Sequence, residues 1–386
     1  MAGKRSIFEE VGAAGPVRAG AVRAGGMIDG TGLGARGAVR VWLIVIFMMV
    51  ALMVLVGGLT RLTESGLSIT EWNPVMGALP PMGEADWATE FGKYQASPQY
   101  MLMNKGMELS EFKVIFWWEW AHRNLGRCVG LVWALGFFGF VLTRNVPAGW
   151  APRLFGLGAL GGLQGAIGWW MVSSGLTGDM VSVASYRLAV HLGLAFAILG
   201  LCGTYIFLLG RREVDLLAAR RSAEGGLKGM STGVMHLLFL QILLGALVAG
   251  IDAGRAFPTW PDMNGQFFPA EAFYVPGRPV WAAFFENAGL VQFIHRMVGY
   301  ALLALTVGTW QRGRKSAYRA TRVAFNAVMA MMVVQIGLGI YAALTAAQLH
   351  VAITHQLGAV LLWVLVIRAR HLAAYPVQGS IREGTA

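Results

Sequence analysis

Glu119-Trp120-Ala121-His122-Arg123-Asn124-Leu125-Gly126 and Gln292-Phe293-Ile294-His295-Arg296-Met297-Val298-Gly299 are two versions of one segment. Each carries a His-Arg pair, a glycine four residues after the histidine, and a carboxylate or its amide three residues before it. Working outward, the matches continue in the same order. The preceding loops read Ser65-Gly66, Trp72, Gly77 and Ala253-Gly254, Trp260, Gly265. The following apolar runs carry Gln164-x-x-x-Gly168 and Gln335-x-x-x-Gly339, and the last runs place His191 and His355 about five residues in. Chance can supply one such match, but four in order mark a repeat.

The repeat lies in an apolar chain. Of 386 residues 56% are hydrophobic and 13% charged, with a net charge of +11. A soluble domain carries about 25% charged residues. That excludes an ordinary cytosolic enzyme and a disordered chain. A membrane core needs about 20 apolar residues of helix per crossing. Eight such runs are legible, roughly 41–60, 114–142, 154–173, 186–210, 232–251, 286–310, 323–346 and 351–368. The fold expected is an all-α polytopic membrane protein, eight transmembrane helices forming two pseudo-symmetric four-helix bundles. The bundles occupy 41–210, with a long outer loop at 61–113, and 232–370. A cytoplasmic segment at 1–40, a linker at 211–231 and a tail at 371–386 complete the division. Each half has an even number of spans, so the repeat is parallel, not inverted.

Lys and Arg fix the expected orientation. With the N-terminus inside, inside segments hold 21 of the 31 basic residues and the two long outer loops hold 6. Both termini are then cytoplasmic. The basic excess sets topology and meets membrane lipid; no basic patch interleaved with aromatics points to nucleic acid. No cleavable signal peptide is visible. Cys128 and Cys202 are far apart in apolar runs and read as small buried residues.

Four of the seven histidines are the matched set: His122, His191, His295 and His355. Each lies near the outer end of an even-numbered span. Ionisable groups in a membrane are costly, face the bundle interior and mark function. Two pairs follow, His122 with His191 and His295 with His355. Two imidazoles at one level suit a six-coordinate haem iron, whereas zinc wants three or four protein ligands. Gly126 and Gly299, one turn along from His122 and His295, leave room for a flat macrocycle, or serve helix packing. His236 and His371 read as solvated or interfacial, and His350 as lying at the outer rim.

The halves differ at one telling position. Glu119 shares a helix face with His122, and its counterpart Gln292 is neutral. A carboxylate at a haem edge can take a proton or stabilise positive charge, and an amide can only hydrogen-bond. One half would do chemistry while the other holds a permanent cofactor. The alternative is a structural Glu119–Arg123 pair at i,i+4. Arg123 and Arg296 can meet haem propionates or snorkel to headgroups.

These residues resemble the haem A synthases of aerobic bacteria and mitochondria, over roughly 41–370. The stretch Gly57-Gly58-Leu59-Thr60-Arg61-Leu62-Thr63-Glu64-Ser65-Gly66-Leu67-Ser68 carries the resemblance, with Glu71-Trp72-Asn73-Pro74, Glu119-x-x-His122-Arg123, Tyr186 to His191, Pro258-x-Trp260-Pro261 and His295-Arg296-x-x-Gly299-Tyr300. It implies oxidation of the C8 methyl of haem O to a formyl group, giving haem A for terminal oxidases. The methyl is first hydroxylated, and a second oxidation gives a gem-diol that dehydrates. It implies a permanent haem b on His295 and His355, and haem O received at His122 and His191 beside Glu119. It also implies a bacterial plasma membrane rather than a mitochondrial one, with haem O synthase and oxidase assembly factors as partners; a homo-oligomer stays open. The loop cysteine pair of some bacterial relatives is absent, so no thiol step carries over. Two rivals remain: a bis-histidine cytochrome b electron carrier, with two equivalent haems and no need of Glu119, and a haem or small-molecule transporter.

Overall fold

The computed structural model describes residues 34–378, and within them the regular structure is helical apart from one isolated bridge between Met263 and Gln266. The helices are α1 (Gly34–Leu62), α2 (Glu84–Gln95), α3 (Pro98–Leu102), α4 (Leu109–Leu142), α5 (Ala151–Ser174), α6 (Ser185–Leu209), α7 (Glu213–Arg220), α8 (Gly225–Gly250), α9 (Ala253–Ala256), α10 (Ala283–Glu286), α11 (Ala288–Gly313), α12 (Arg319–Leu344) and α13 (Leu349–Ala374). Eight of them coincide with the eight apolar runs. Seven, all but α5, are long and apolar enough to cross a membrane. Six glycines and Gln164 dilute the 24 residues of α5.

Local chemistry fixes the helix starts. Glu111 accepts the Glu108 N–H at 2.9 Å and so begins α4, and the Asn287 side chain accepts from Leu290 N–H at 2.9 Å to begin α11. Two starts differ from the sequence expectation. Segment 211–231 is not a plain linker, because it contains α7 and the first two turns of α8. The N-terminal expectation falls largely on 1–33 and that for the tail largely on 379–386, outside the described residues.

In the first half α1 and α5 each pack on both α4 and α6; in the second, α8 and α12 each pack on both α11 and α13. The halves meet through α1, α6, α8 and α13. Trp363 of α13 donates its indole N–H to Phe196 O at 3.0 Å, lying against Gly200. Gln356 donates to Val54 O at 2.6 Å across the same seam, where Gly58 leaves room for it. The core runs through the seam as Leu199, Phe196, Leu238, Leu362 and Trp363. Outward-facing Val41, Leu135, Phe138, Phe155 and Val323 are exposed, as lipid-facing positions must be.

Both long loops begin alike. Glu64 (φ 57°) and Asp252 (φ 52°) occupy the left-handed position beyond α1 and α8 where glycine is usual. Arg61 joins the two loop roots through Asp252 at 2.7 Å. The first loop is an ordered unit on the projecting start of α4. Trp87 and Tyr94 pack against Phe112 and Phe116, and the Tyr94 hydroxyl donates to Gln99 and accepts from Asn104.

Two minor expectations need correction. Cys202 is buried, but Cys128 is exposed, because its face of α4 points away from the neighbouring helices. His371 is buried rather than solvated, its ring packed between Phe207 and Tyr375. His236 and His350 are exposed.

Candidate functional site

All four matched histidines sit in the first half of their helices, at the end of the molecule that bears the long loops. α5 packs on both α4, which carries His122, and α6, which carries His191; α12 packs in the same way on α11, with His295, and α13, with His355. Among the described residues no three His, Cys, Asp or Glu converge on one point.

A finer pattern holds each ring. Every one of the four imidazoles lies against a glycine of the helix before it. A Cβ added at Gly57 of α1 would come within 2.9 Å of His122 Cε1, and one at Gly168 of α5 within 2.9 Å of His191 Cε1. At Gly245 of α8 and Gly339 of α12 the corresponding distances are 3.2 Å to His295 and 3.1 Å to His355. The residue four before each glycine completes the seat. Gln164 donates to His191 O at 3.0 Å, Gln241 to His295 O at 3.0 Å and Gln335 to His355 O at 2.9 Å. Each amide nitrogen also reaches the ring, at 3.2–3.3 Å. At the fourth site the equivalent residue is Met53, and His122 Nδ1 is buried without a partner.

The sequence signal for this seat recurs in four helices. Gln-x-x-x-Gly in α5 and α12 belongs to it, and so do Gln241-x-x-x-Gly245 and Met53-x-x-x-Gly57. Gly126 and Gly299 face the preceding long helix: a Cβ there would lie 3.6 Å from Met53 Cε and 3.3 Å from Gln241 Nε2, as the helix-packing alternative expects.

Glu119 is buried and fully engaged. Its Oε1 accepts from Arg123 Nε at 3.0 Å and from the second guanidinium nitrogen at 2.6 Å. Its Oε2 accepts from Ser68 Oγ at 2.7 Å and Ile69 N–H at 2.8 Å. The i,i+4 ion pair weighed above therefore exists, and it is tied to the loop. Gln292 occupies the matching position, also buried, donating to Phe257 O at 3.4 Å with its own carbonyl unpartnered. Arg123 donates to Ile69 O and Glu71 O, Arg296 to Phe257 O, Thr259 O and Asp262 O. The two arginines clamp the two loops in the same way. Near Arg296 the Asp262 carboxyl is held below its ordinary value by the Thr259 hydroxyl and the Gly265 N–H, and by Arg296 itself.

The residues fit a haem in either half. Each half carries two buried imidazoles near the same end of its helices, a backbone glycine lies against each ring, and His122 Nδ1 is buried with no partner. Fold and site together define a polytopic helical protein with four matched, glycine-seated histidines toward the loop-bearing end of its long helices. Over residues 40–367 the sequence matches the COX15-CtaA cytochrome oxidase assembly protein family, and the chain belongs to that family. It is 60% identical to the heme A synthase of Cereibacter sphaeroides strain KD131, covering 99% of each chain. To the heme A synthase of Ruegeria sp. strain TM1040 it is 60% identical over 98% of this chain and 99% of that one. The heme A synthase of Dinoroseobacter shibae is 58% identical over the full length of both.

Proposed function

We propose that the chain is a haem A synthase of a bacterial plasma membrane, oxidising the C8 methyl of haem O to a formyl group. The observation that carries this beyond the relatives' names is the asymmetry of two otherwise matching sites. One has a buried carboxylate beside its histidines and the other an amide. We read all eight long helices as membrane spans in two four-helix bundles, 41–210 and 232–370, with both termini cytoplasmic. The ring-like packing within each half and the inside excess of basic residues support this reading.

In this scheme His122 and His191 bind haem O, and His295 and His355 hold a permanent haem b. When bound, haem b supplies one-electron transfer. Replacing methyl by formyl amounts to adding one water and removing four protons and four electrons. Glu119 is the group of this chain placed for the protons and for charge developing beside the ring edge. Four donors meet its two oxygens, and two of them, Ser68 Oγ and Ile69 N–H, come from the loop, so any movement of the loop changes the carboxylate's surroundings. Arg123 and Arg296 hold the two loops through their carbonyls and would be the cations to pair with haem propionates. Haem O synthase and oxidase assembly factors supply the substrate and take the product.

Pigment analysis of cells making the protein with haem O synthase tests the reading. Haem A is expected from the wild type and not from Glu119→Ala or His122→Ala. His295→Ala is expected to lose haem b. Retention of haem b with no haem A in any host would overturn the enzyme assignment in favour of an electron carrier.

A further inference from the structure

A further difference between the halves tracks the exchange of Glu119 for Gln292. Ser68 and Ala256 are counterparts, because the two loops run in one register. Glu64 and Asp252 share the left-handed backbone, and the carbonyls of Ile69 and Glu71 meet Arg123 as those of Phe257 and Thr259 meet Arg296. Where the helix offers a carboxylate the loop offers a hydroxyl, and where it offers an amide the loop offers a methyl. Ser68 is 1% exposed and Glu119 2%. Ser68 Oγ lies 2.7 Å from Glu119 Oε2 and 3.4 Å from Ile115 O, so its hydrogen goes to the carboxylate. The matching carbonyl of Gln292 has no partner.

The way the donors are shared shows what the hydroxyl adds. Arg123 brings two nitrogens to one oxygen, Oε1. The last torsion of a glutamate is broad, so a carboxylate held at one oxygen can still turn its plane about that anchor. Two donors on Oε2, the Ser68 hydroxyl and the Ile69 N–H, stop the turn. Fastening the loop does not by itself require a hydroxyl there. In the second half Arg296 holds its loop through three carbonyls, and Ala256 adds nothing polar. We propose that Ser68 is a positioning residue for the oxidation, fixing through Oε2 the direction in which Glu119 presents its charge to the substrate. This rests on the reading above that Glu119 serves the chemistry of the first half.

The test uses the full-length protein made in cells with haem O synthase. It scores the haem A formed, the haem O and haem b carried by the purified protein, and hydrogen exchange in the first loop. Ser68→Ala is expected to lower haem A formation roughly ten- to hundredfold, as a misplaced catalytic group does, while bound haem O and haem b stay at the wild-type level. Ser68→Thr keeps the hydroxyl and is expected to restore haem A. Should the extra methyl of threonine cost the protein its haem b, Ser68→Cys takes its place. A thiol is a weak donor, so this variant is expected to make more haem A than Ser68→Ala. Gln99→Ala is the control. Gln99 ties the loop to its own root, donating to Glu64 O at 3.0 Å, so its loss is expected to quicken exchange in the loop without lowering haem A. Equal loss of haem A in Gln99→Ala and Ser68→Ala would overturn the proposal, because loosening the loop would then suffice. So would wild-type haem A from Ser68→Ala when Glu119→Gln makes none. Haem A from Glu119→Gln at the wild-type level would overturn instead the reading of Glu119 on which the proposal rests.

Discussion

At the scale of single residues, the four seats have little slack. A methyl added at Gly57 or Gly168 would stand closer to an imidazole carbon than side chains approach one another. Forcing bulk into a packed site costs about 1–3 kcal/mol. Gly57→Ala is therefore expected to displace His122 and weaken haem binding in the first half by one to two orders of magnitude. Titration of the purified variant with haem, in a His295→Ala background, measures it. Gly245→Ala and Gly339→Ala start from wider gaps and are expected to do less. The histidines and Glu119 were legible in the sequence because they interrupt apolar runs at matched positions. Their seats were not, because a glycine in a membrane helix looks like any other small packing residue until the opposite ring is placed. Gln241, the third carbonyl-bound glutamine, is hidden for a similar reason. Gln241 lies in α8, whose counterpart α1 has methionine there, so comparing the halves could not expose it.

At the scale of elements, α1, α4 and their counterparts follow the apolar runs because only a helix satisfies backbone polar groups in lipid. The first loop was opaque, since its aromatic cluster joins residues far apart in sequence. Its outer edge is held by Lys93, which donates to Glu90 at 2.8 Å and to Glu71 at 3.0 Å. The Lys93 hydrogen bond, opposed by some burial, holds the Glu71 carboxyl below its ordinary value. The Glu90 hydrogen bond, again against some burial, raises the Lys93 ammonium, with Glu71 adding to it. A lowered carboxyl stabilises above its unfolded value and loses that effect as pH falls through the folded one. A raised ammonium stabilises below its unfolded value and loses that effect as pH rises through the folded one. The loop is therefore expected to be best anchored between about pH 5 and pH 10. The effect is small because the pairs are partly exposed. Hydrogen exchange over residues 71–95 should quicken on either side of that window, and Lys93→Ala should flatten the profile.

At the scale of the whole molecule, the halves are joined by α1, α6, α8 and α13 and, at the loops, by Arg61 and Asp252. Trp363 fills the seam and is 5% exposed. Trp363→Ala is expected to cost about 3–5 kcal/mol, seen as a lower thermal midpoint in detergent with both halves melting together. The repeat is legible in the sequence, and within it a smaller unit recurs. A glycine on one helix under a histidine on the next occurs in α1–α4, α5–α6, α8–α11 and α12–α13. That feature governs where the chain can change length. One residue inserted in α1 between Gly57 and the loop would lift the glycine about 1.5 Å and turn it about 100° from His122. The ring would then meet a side chain where it needs bare backbone. Helix interiors can exchange residues but neither gain nor lose them, and insertions and deletions belong in the loops. The first long loop, with α2 and α3 folded into it, and the second, with neither, already differ in that way while the seats above and below them keep the same spacing.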